Sequence, residues 1–376
     1  MAIKSRTIST TSRSVWLRRI DPTATPPSTA AWRGLALTAI GNAAARETFI
    51  TATPHMASIW TDLFQSILAP GPQLLWRDDG PGLGRDAKSA YSSLLGRYMA
   101  RAYLTAFEGV RVMVPLDVAK RWLQGTPFQI RKDPSGNGLE ADWVGLDAHG
   151  LVIVEAKGTH DKALCAWRGP IAMPSVLQGA IGQTERTAVF VRASNRKLPS
   201  KRWAIASRWG TQENGLDPTL IAWDPEDEKL DENYYRLLER IFFQADIQAV
   251  ATGMGYTGDV GAFGIGGDFR RAVSIEEGTS IRFKVGGRLF KPGLMVALGP
   301  FGHLPIRNAS DLSRIRRVRE ITPNVALVSL SSNYIQSVRE GEPPVEAPLV
   351  TEDRTASQGG LTVIWPLKNE EIEIDD

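Results

Sequence analysis

The chain is 376 residues long, with 43% hydrophobic and 23% charged residues, a balance typical of folded globular chains that excludes wholesale disorder or a fibrous repeat. Its one cysteine, Cys165, excludes an intramolecular disulfide framework and a thiolate zinc cluster, and His55, His149, His160 and His303 are too scattered for an HExxH site. Lys and Arg total 44 against 41 Asp and Glu, so with a net charge of +3 any recognition of a polyanion must come from clustering, not from the sum.

No run approaches the ~18 apolar residues of a membrane span. Residues 1–20 carry Lys4, Arg6, Arg13, Arg18 and Arg19 among Ser and Thr with no acid, and read as a basic start leading into a strand at Ser14–Ile20. A cytoplasmic location is expected. The Pro/Thr segment Asp21–Thr29 reads as a linker ending in an N-cap, followed by an Ala/Leu-rich helix at Ala30–Arg46 and a second helix at His55–Leu68. Gly and Pro make Arg77–Arg85 a loop. Then Asp86–Phe107 places Ala90, Leu94, Leu95, Met99, Tyr103, Leu104 and Phe107 at helical spacing.

From Arg111 the period shortens. VRVMVPL and PFQI are strand candidates, followed by LEADWVGLD, a turn at Ala148-His149-Gly150, and the apolar strand LVIVEAK. A helix at Pro174–Arg186 and strands TAVFV, RWAIASRW and TLIAWDP continue the alternation, which predicts a mixed α/β fold. After the charged break Asp224–Lys229, a helix is expected over Leu230–Ala249. Strand-like pieces AVSI, SIRFKV, LMVAL, VALVSL and LTVIW follow, and the end NEEIEIDD reads as a solvated acidic tail.

The segment Gly138–Gly158, GLEADWVGLDAHGLVIVEAKG, concentrates the chemistry. Read as two strands and a tight turn, it puts Glu140 and Asp142 on one face of the first strand and Glu155 and Lys157 on one face of the second. Val152, Val154 and Ala156 form the opposite, packing face. Carboxylates and a lysine at the end of an otherwise apolar strand are costly unless they pair or hold a cation, and hard oxygen ligands suit Mg²⁺ or Mn²⁺. Asp147, beside the turn, reads as a turn residue.

This segment resembles the PD-(D/E)xK phosphodiesterase superfamily, also called restriction-endonuclease-like, whose pattern is a strand with an Asp, a turn, and a hydrophobic strand ending in Glu-x-Lys. Asp142 and Glu155-Ala156-Lys157 match it, in wording closest to the resolvase-like and Mrr-like form, and the likeness extends over about residues 83–225. The resemblance implies a restriction-endonuclease-like mixed sheet flanked by helices and metal-assisted hydrolysis of DNA phosphodiester bonds. It implies Asp142 and Glu155 as metal ligands, with the Ala156 carbonyl as a third. Lys157 would orient the attacking water and offset charge on the phosphate. Glu140 stands where the family most often has Pro. Gln178, or else Gln183, lies on the next helix, where relatives place a glutamine near the site; the tyrosine of the QxxxY form is replaced by Gly182.

Three regions follow: a helical N-terminal region over residues 1–82, the nuclease core over 83–225, and a strand-rich C-terminal α+β domain over 226–376. The expected protein is a Mg²⁺- or Mn²⁺-dependent endonuclease acting on DNA, in a restriction or phage-defence system by family analogy. A DNA-repair or junction-resolving nuclease is an alternative, as is a nuclease-fold subunit for nucleic-acid binding and assembly. RNA as substrate, a homodimer, and protein partners of the C-terminal domain stay open, and no membrane association is expected.

Two further signals lie outside this segment. Gly253-Met254-Gly255-Tyr256-Thr257-Gly258 matches GxGxxG literally, but a helix precedes it and a poor helix former follows, so it reads as a Gly-rich interdomain loop. Arg192, Arg196, Lys197, Lys201 and Arg202 form one basic cluster, and Arg314, Arg316, Arg317 and Arg319 another. The first could track a phosphate backbone or be an exposed loop. Trp143, Trp167, Trp203, Trp209 and Trp223 are read as core before base-stacking residues. Lys88 and Arg85 read as solvated surface.

Overall fold

The computed structural model describes residues 12–22, 28–51, 67–80, 84–133, 139–160, 173–224, 229–254, 282–285, 287–290, 293–299, 302–306, 311–313, 315, 326–341, 350–352, 355–358, 360–364 and 372–375. The expected helix from His55 as far as Ser66, Cys165, Trp167, strand AVSI, the glycine-rich segment beyond Met254 and the four arginines between 314 and 319 lie outside them.

The architecture is mixed α/β. In chain order the first elements are β1 (Ser12–Ile20), β2 (Ser28–Ala36), α1 (Leu37–Thr51), β3 (Leu75–Trp76), α2 (Arg85–Phe107), β4 (Val112–Pro115), α3 (Leu116–Trp122), β5 (Phe128–Lys132), β6 (Trp143–Leu146) and β7 (Leu151–Thr159). There follow α4 (Ser175–Arg186), β8 (Thr187–Val191), β9 (Lys201–Arg208), β10 (Gly210–Thr211), β11 (Thr219–Trp223) and α5 (Glu232–Gly253). The remaining elements are β12 (Arg282–Val285), β13 (Arg288–Phe290), β14 (Gly293–Gly299), β15 (Gly302–Ile306), β16 (Ala326–Ser331), α6 (Ser332–Glu340), β17 (Val350–Glu352), β18 (Thr355–Gln358), β19 (Leu361–Ile364) and β20 (Ile372–Asp375).

Two compact units divide the chain. One comprises Thr11–Ala36 and Ile67–Phe242; the other comprises Met1–Thr10, Leu37–Ser66 and Phe243–Asp376. The first is built on a seven-stranded sheet in the order β2-β1-β11-β9-β7-β6-β4. β1 runs parallel to β11 and β7 parallel to β9, while the other neighbours are antiparallel. Strands that alternate around a sheet send successive side chains to opposite faces. On β9, Trp203 meets Tyr103 of α2 edge-on, with ring centroids 6.4 Å apart. Ala204 and Ala206 instead pack with Leu177 and Ala180 of α4. The two helices therefore cover opposite faces, and the sheet is buried on both, which is why β7 is an unbroken buried run from Leu151 to Ala156.

In the second unit, β15-β14-β16-β19-β18-β17 form a six-stranded antiparallel sheet and β13-β12-β20 a three-stranded one. Val285, Met295, Ala297, Ile306, Leu327, Ile364 and Ile372 share its core. Ile372 is fully buried on β20, so Ile372–Asp375 of the expected acidic tail form a paired strand.

Two further local expectations change. Ala30–Ala36 is strand, not helix, and the helix begins at Leu37. β1 pairs with β2 along nine residues, with Trp16 opposite Trp32 and the rings edge-on at 5.7 Å. Helix propensity in an Ala-rich stretch is a weak preference that such cross-strand pairing overrides. The second correction concerns the first strand of the chemical segment, which begins only at Trp143. Glu140 and Asp142 precede it and do not share a strand face.

Candidate active site

The hairpin β6–β7 positions the central acids. Its turn is held by Asp147, whose Oδ1 accepts the backbone N–H groups of His149 at 2.7 Å and Gly150 at 2.8 Å, the role expected of a turn aspartate. The ladder ends at the pair Trp143 and Val154, and one further step brings Asp142 beside Glu155. Asp142 is fixed by its backbone: its N–H donates to Val154 at 3.1 Å and its carbonyl accepts Leu116 N–H at 3.0 Å. Its Oδ2 accepts Ala156 N–H at 3.0 Å, and its Oδ1 is ion-paired to Arg97 of α2.

Glu155 is 3% exposed. Its Oε1 meets Lys157 Nζ at 2.5 Å, while its Oε2 is buried with no hydrogen-bond partner among the described residues. Burial, and after it the charge of Asp142, pushes the Glu155 carboxyl up to about 7, against the opposing pull of Lys157. Lys157 itself is partly exposed, where β7 leaves the covered part of the sheet.

Asp142, Glu155, Ala156 and Lys157 are therefore brought together. Glu140 is not joined to them: it pairs with Lys120 of α3 at 2.6 Å. Gln178 is exposed on α4, and Gln183 is the buried glutamine of that helix, its Oε1 lacking a partner among the described residues.

Arg97 was not singled out by sequence. Its guanidinium lies 4.2 Å from the ring centroid of the fully buried Trp143, and Arg101, one turn on, lies 5.8 Å from the same ring. The available signal was two arginines spaced i, i+4 on one helix face. What admits α2 so close is a glycine pair, Gly96 against Gly158, directly after Lys157. Asp86 in the first turn suits the helix dipole, and Gly109, at φ +65°, ends the helix in the left-handed conformation.

The basic cluster after β8 has partners within the fold, while Arg192, Arg196 and Lys197 stay exposed on the loop. Arg192 donates to the carbonyls of Thr126 and Leu123, Lys197 pairs with Asp133, Lys201 with Asp224, and Arg202 donates to Thr184 and Thr187. Arg196 lies 5.1 Å over the Tyr234 ring. Trp143, Trp203 and Trp209 are buried core residues. Lys88 pairs with Asp79 at 2.6 Å.

The donor set suits a hard dication in one respect. An orphaned, buried carboxylate oxygen lies next to a second carboxylate whose charge disfavours its ionisation, and a cation between them would relieve both costs. Among the described residues there is no group of three or more His, Cys, Asp or Glu, so further ligands would be the Ala156 carbonyl and water. No helix among the described residues is long and apolar enough to cross a membrane. No protein-family model matches the chain, and neither a curated protein nor a solved structure is significantly similar to it.

Proposed function

We propose that the chain is a metal-dependent nuclease that hydrolyses DNA phosphodiester bonds with a restriction-endonuclease-like core. The observation that carries this reading is the buried Glu155, with one oxygen on Lys157 and the other without a partner, set beside Asp142 at the end of one hairpin. Asp142 and Glu155, with the Ala156 carbonyl, would hold Mg²⁺ or Mn²⁺. When bound, the cation would supply Lewis-acid polarisation of the phosphate and a more acidic water. Lys157, partly exposed, would supply a compact positive charge to a phosphate oxygen that gains negative charge. The walls of the sheet keep water from the buried side of Glu155. Membership of a restriction or phage-defence system belongs to this proposal by analogy alone.

One observation favours the second reading, a nuclease-fold subunit that binds or assembles: each acid already has a basic partner, Arg97 for Asp142 and Lys157 for Glu155. The test is Mg²⁺-dependent cleavage of linear, supercoiled, branched and single-stranded DNA, and of RNA, by wild type, Asp142→Ala and Lys157→Ala. Loss of at least 100-fold in both variants is expected, the scale of a removed positioned group. Equal activity in all three would sink the site assignment. Binding without cleavage of any substrate would favour the assembly reading.

A further inference from the structure

Arg97 occupies an oxygen of Asp142, the carboxylate that a cation in the proposed site would also use. Its guanidinium is ion-paired to Asp142 Oδ1, while Oδ2 is engaged by Ala156 N–H. The side chain is neither deeply buried nor loose: about a quarter exposed, it stacks on the fixed Trp143 ring beside Asp142. α2 is locked at this point because Gly96, the preceding residue, packs backbone to backbone on Gly158. Both ends of the arginine are thus placed, its Cα by the helix crossing and its guanidinium carbon 4.2 Å from the indole centroid.

Resting on the nuclease reading, we infer that Arg97 is the counter-ion of Asp142 in the metal-free site, yields that carboxylate to an incoming divalent cation, and then binds a phosphate oxygen of the substrate. Competition for Asp142 follows from charge: a guanidinium and a dication on the same carboxylate repel each other. The second role follows from chemistry. A stacked guanidinium presents several N–H donors in a planar fork that matches phosphate as well as carboxylate, and its release from Asp142 leaves it next to the cleavage site. The arrangement would couple the two events, since a phosphate that holds Arg97 also stops it from competing with the cation.

The experiment titrates the full chain with Mn²⁺ by calorimetry, without nucleic acid, for wild type, Arg97→Ala and Arg97→Lys, and measures cleavage with the same proteins. Thermal unfolding is recorded for each. Arg97→Ala should bind Mn²⁺ about fivefold more tightly than wild type, as expected for loss of a competing ion pair of ordinary strength, yet cleave at least tenfold more slowly. Arg97→Lys keeps the charge, so its Mn²⁺ affinity should stay near wild type while cleavage stays low for want of the fork. Unchanged or weaker Mn²⁺ binding by a folded Arg97→Ala overturns the competition, and wild-type cleavage by it overturns the phosphate role; either result leaves the nuclease reading standing. A wild-type chain that binds Mn²⁺ but cleaves nothing overturns that reading and the phosphate role with it. If Arg97→Ala does not fold, Arg97→Lys decides, and wild-type cleavage by it overturns the inference.

Discussion

Gly96 on α2 and Gly158 on β7 meet with no side chain between them: a Cβ on Gly96 would lie 2.5 Å from the Gly158 nitrogen and 2.6 Å from its Cα. A Cβ on Gly158 would in turn overlap the carbonyl of Ser92. The crossing brings Arg97 to Asp142, and it tolerates no side chain on either backbone.

Gly158→Ala should therefore cost about 3 kcal/mol of stability, the upper part of the usual overpacking range, because the obstacle is helix backbone and not a side chain that can swing aside. Urea unfolding measures it. A variant within about 0.5 kcal/mol of wild type would show that the crossing is looser than the backbone contact implies.

Glu155 predicts a pH dependence of stability. Its folded-state carboxyl is raised to about 7 from an ordinary 4.5, so the folded chain takes up a proton that the unfolded chain does not. The associated stabilisation is fully present below 4.5 and is lost as pH rises through about 7. Glu155→Gln should be more stable than wild type at pH 8 by on the order of 2 kcal/mol, with a flatter profile between pH 4.5 and 8. A profile for the variant that parallels wild type would refute this assignment. In the proposed metal site the same proton would compete with the cation, so any Mg²⁺ affinity should fall as pH drops below 7.

In the second unit, Arg46 and Asp246 form an ion pair with side chains only 7% and 1% exposed. Asp246→Ala removes this ion pair from a buried guanidinium and should cost about 3–5 kcal/mol. The double change Arg46→Met with Asp246→Leu should recover most of that loss. Denaturant unfolding of the three chains checks it, and a double variant no better than Asp246→Ala would contradict it.

Arg192 tests the basic cluster. Its bonds to Thr126 at 3.0 Å and Leu123 at 3.2 Å tie the turn after α3 to the end of β8. Arg192→Ala should lower stability by about 1–2 kcal/mol and, under the proposed nuclease function, leave the salt dependence of DNA binding unchanged. A decrease of about one in the slope of log affinity against log salt would show instead that this arginine contacts phosphate.

Much of the candidate site was readable along the chain because its parts are local. The Asp142 to Lys157 segment is one hairpin, its turn is closed by Asp147 with His149 and Gly150, and the apolar face of β7 is written at period two. Arg97 was not readable, since it reaches Asp142 across 45 positions and only the glycine crossing puts it there. The basic cluster was readable as an exposed loop, which Arg192, Arg196 and Lys197 are, but its acceptors were not, because carbonyls such as Thr126 and Thr184 and carboxylates such as Asp133 and Asp224 are supplied by other elements.

The sequence by itself determined the mixed α/β class, the long helix at Arg85–Phe107 and the pairing of an aspartate with a Glu-x-Lys strand end, since each depends on residue spacing within one or two neighbouring elements. Tertiary structure alone decided that Ala30–Ala36 would be a strand, that β1 and β2 would join the seven-stranded sheet, and that Asp142 would rest against Arg97. Those outcomes depend on which strand lies beside which and on how near two backbones can approach. Partners distant in the chain supply the hydrogen bonds and charges that override the local preference.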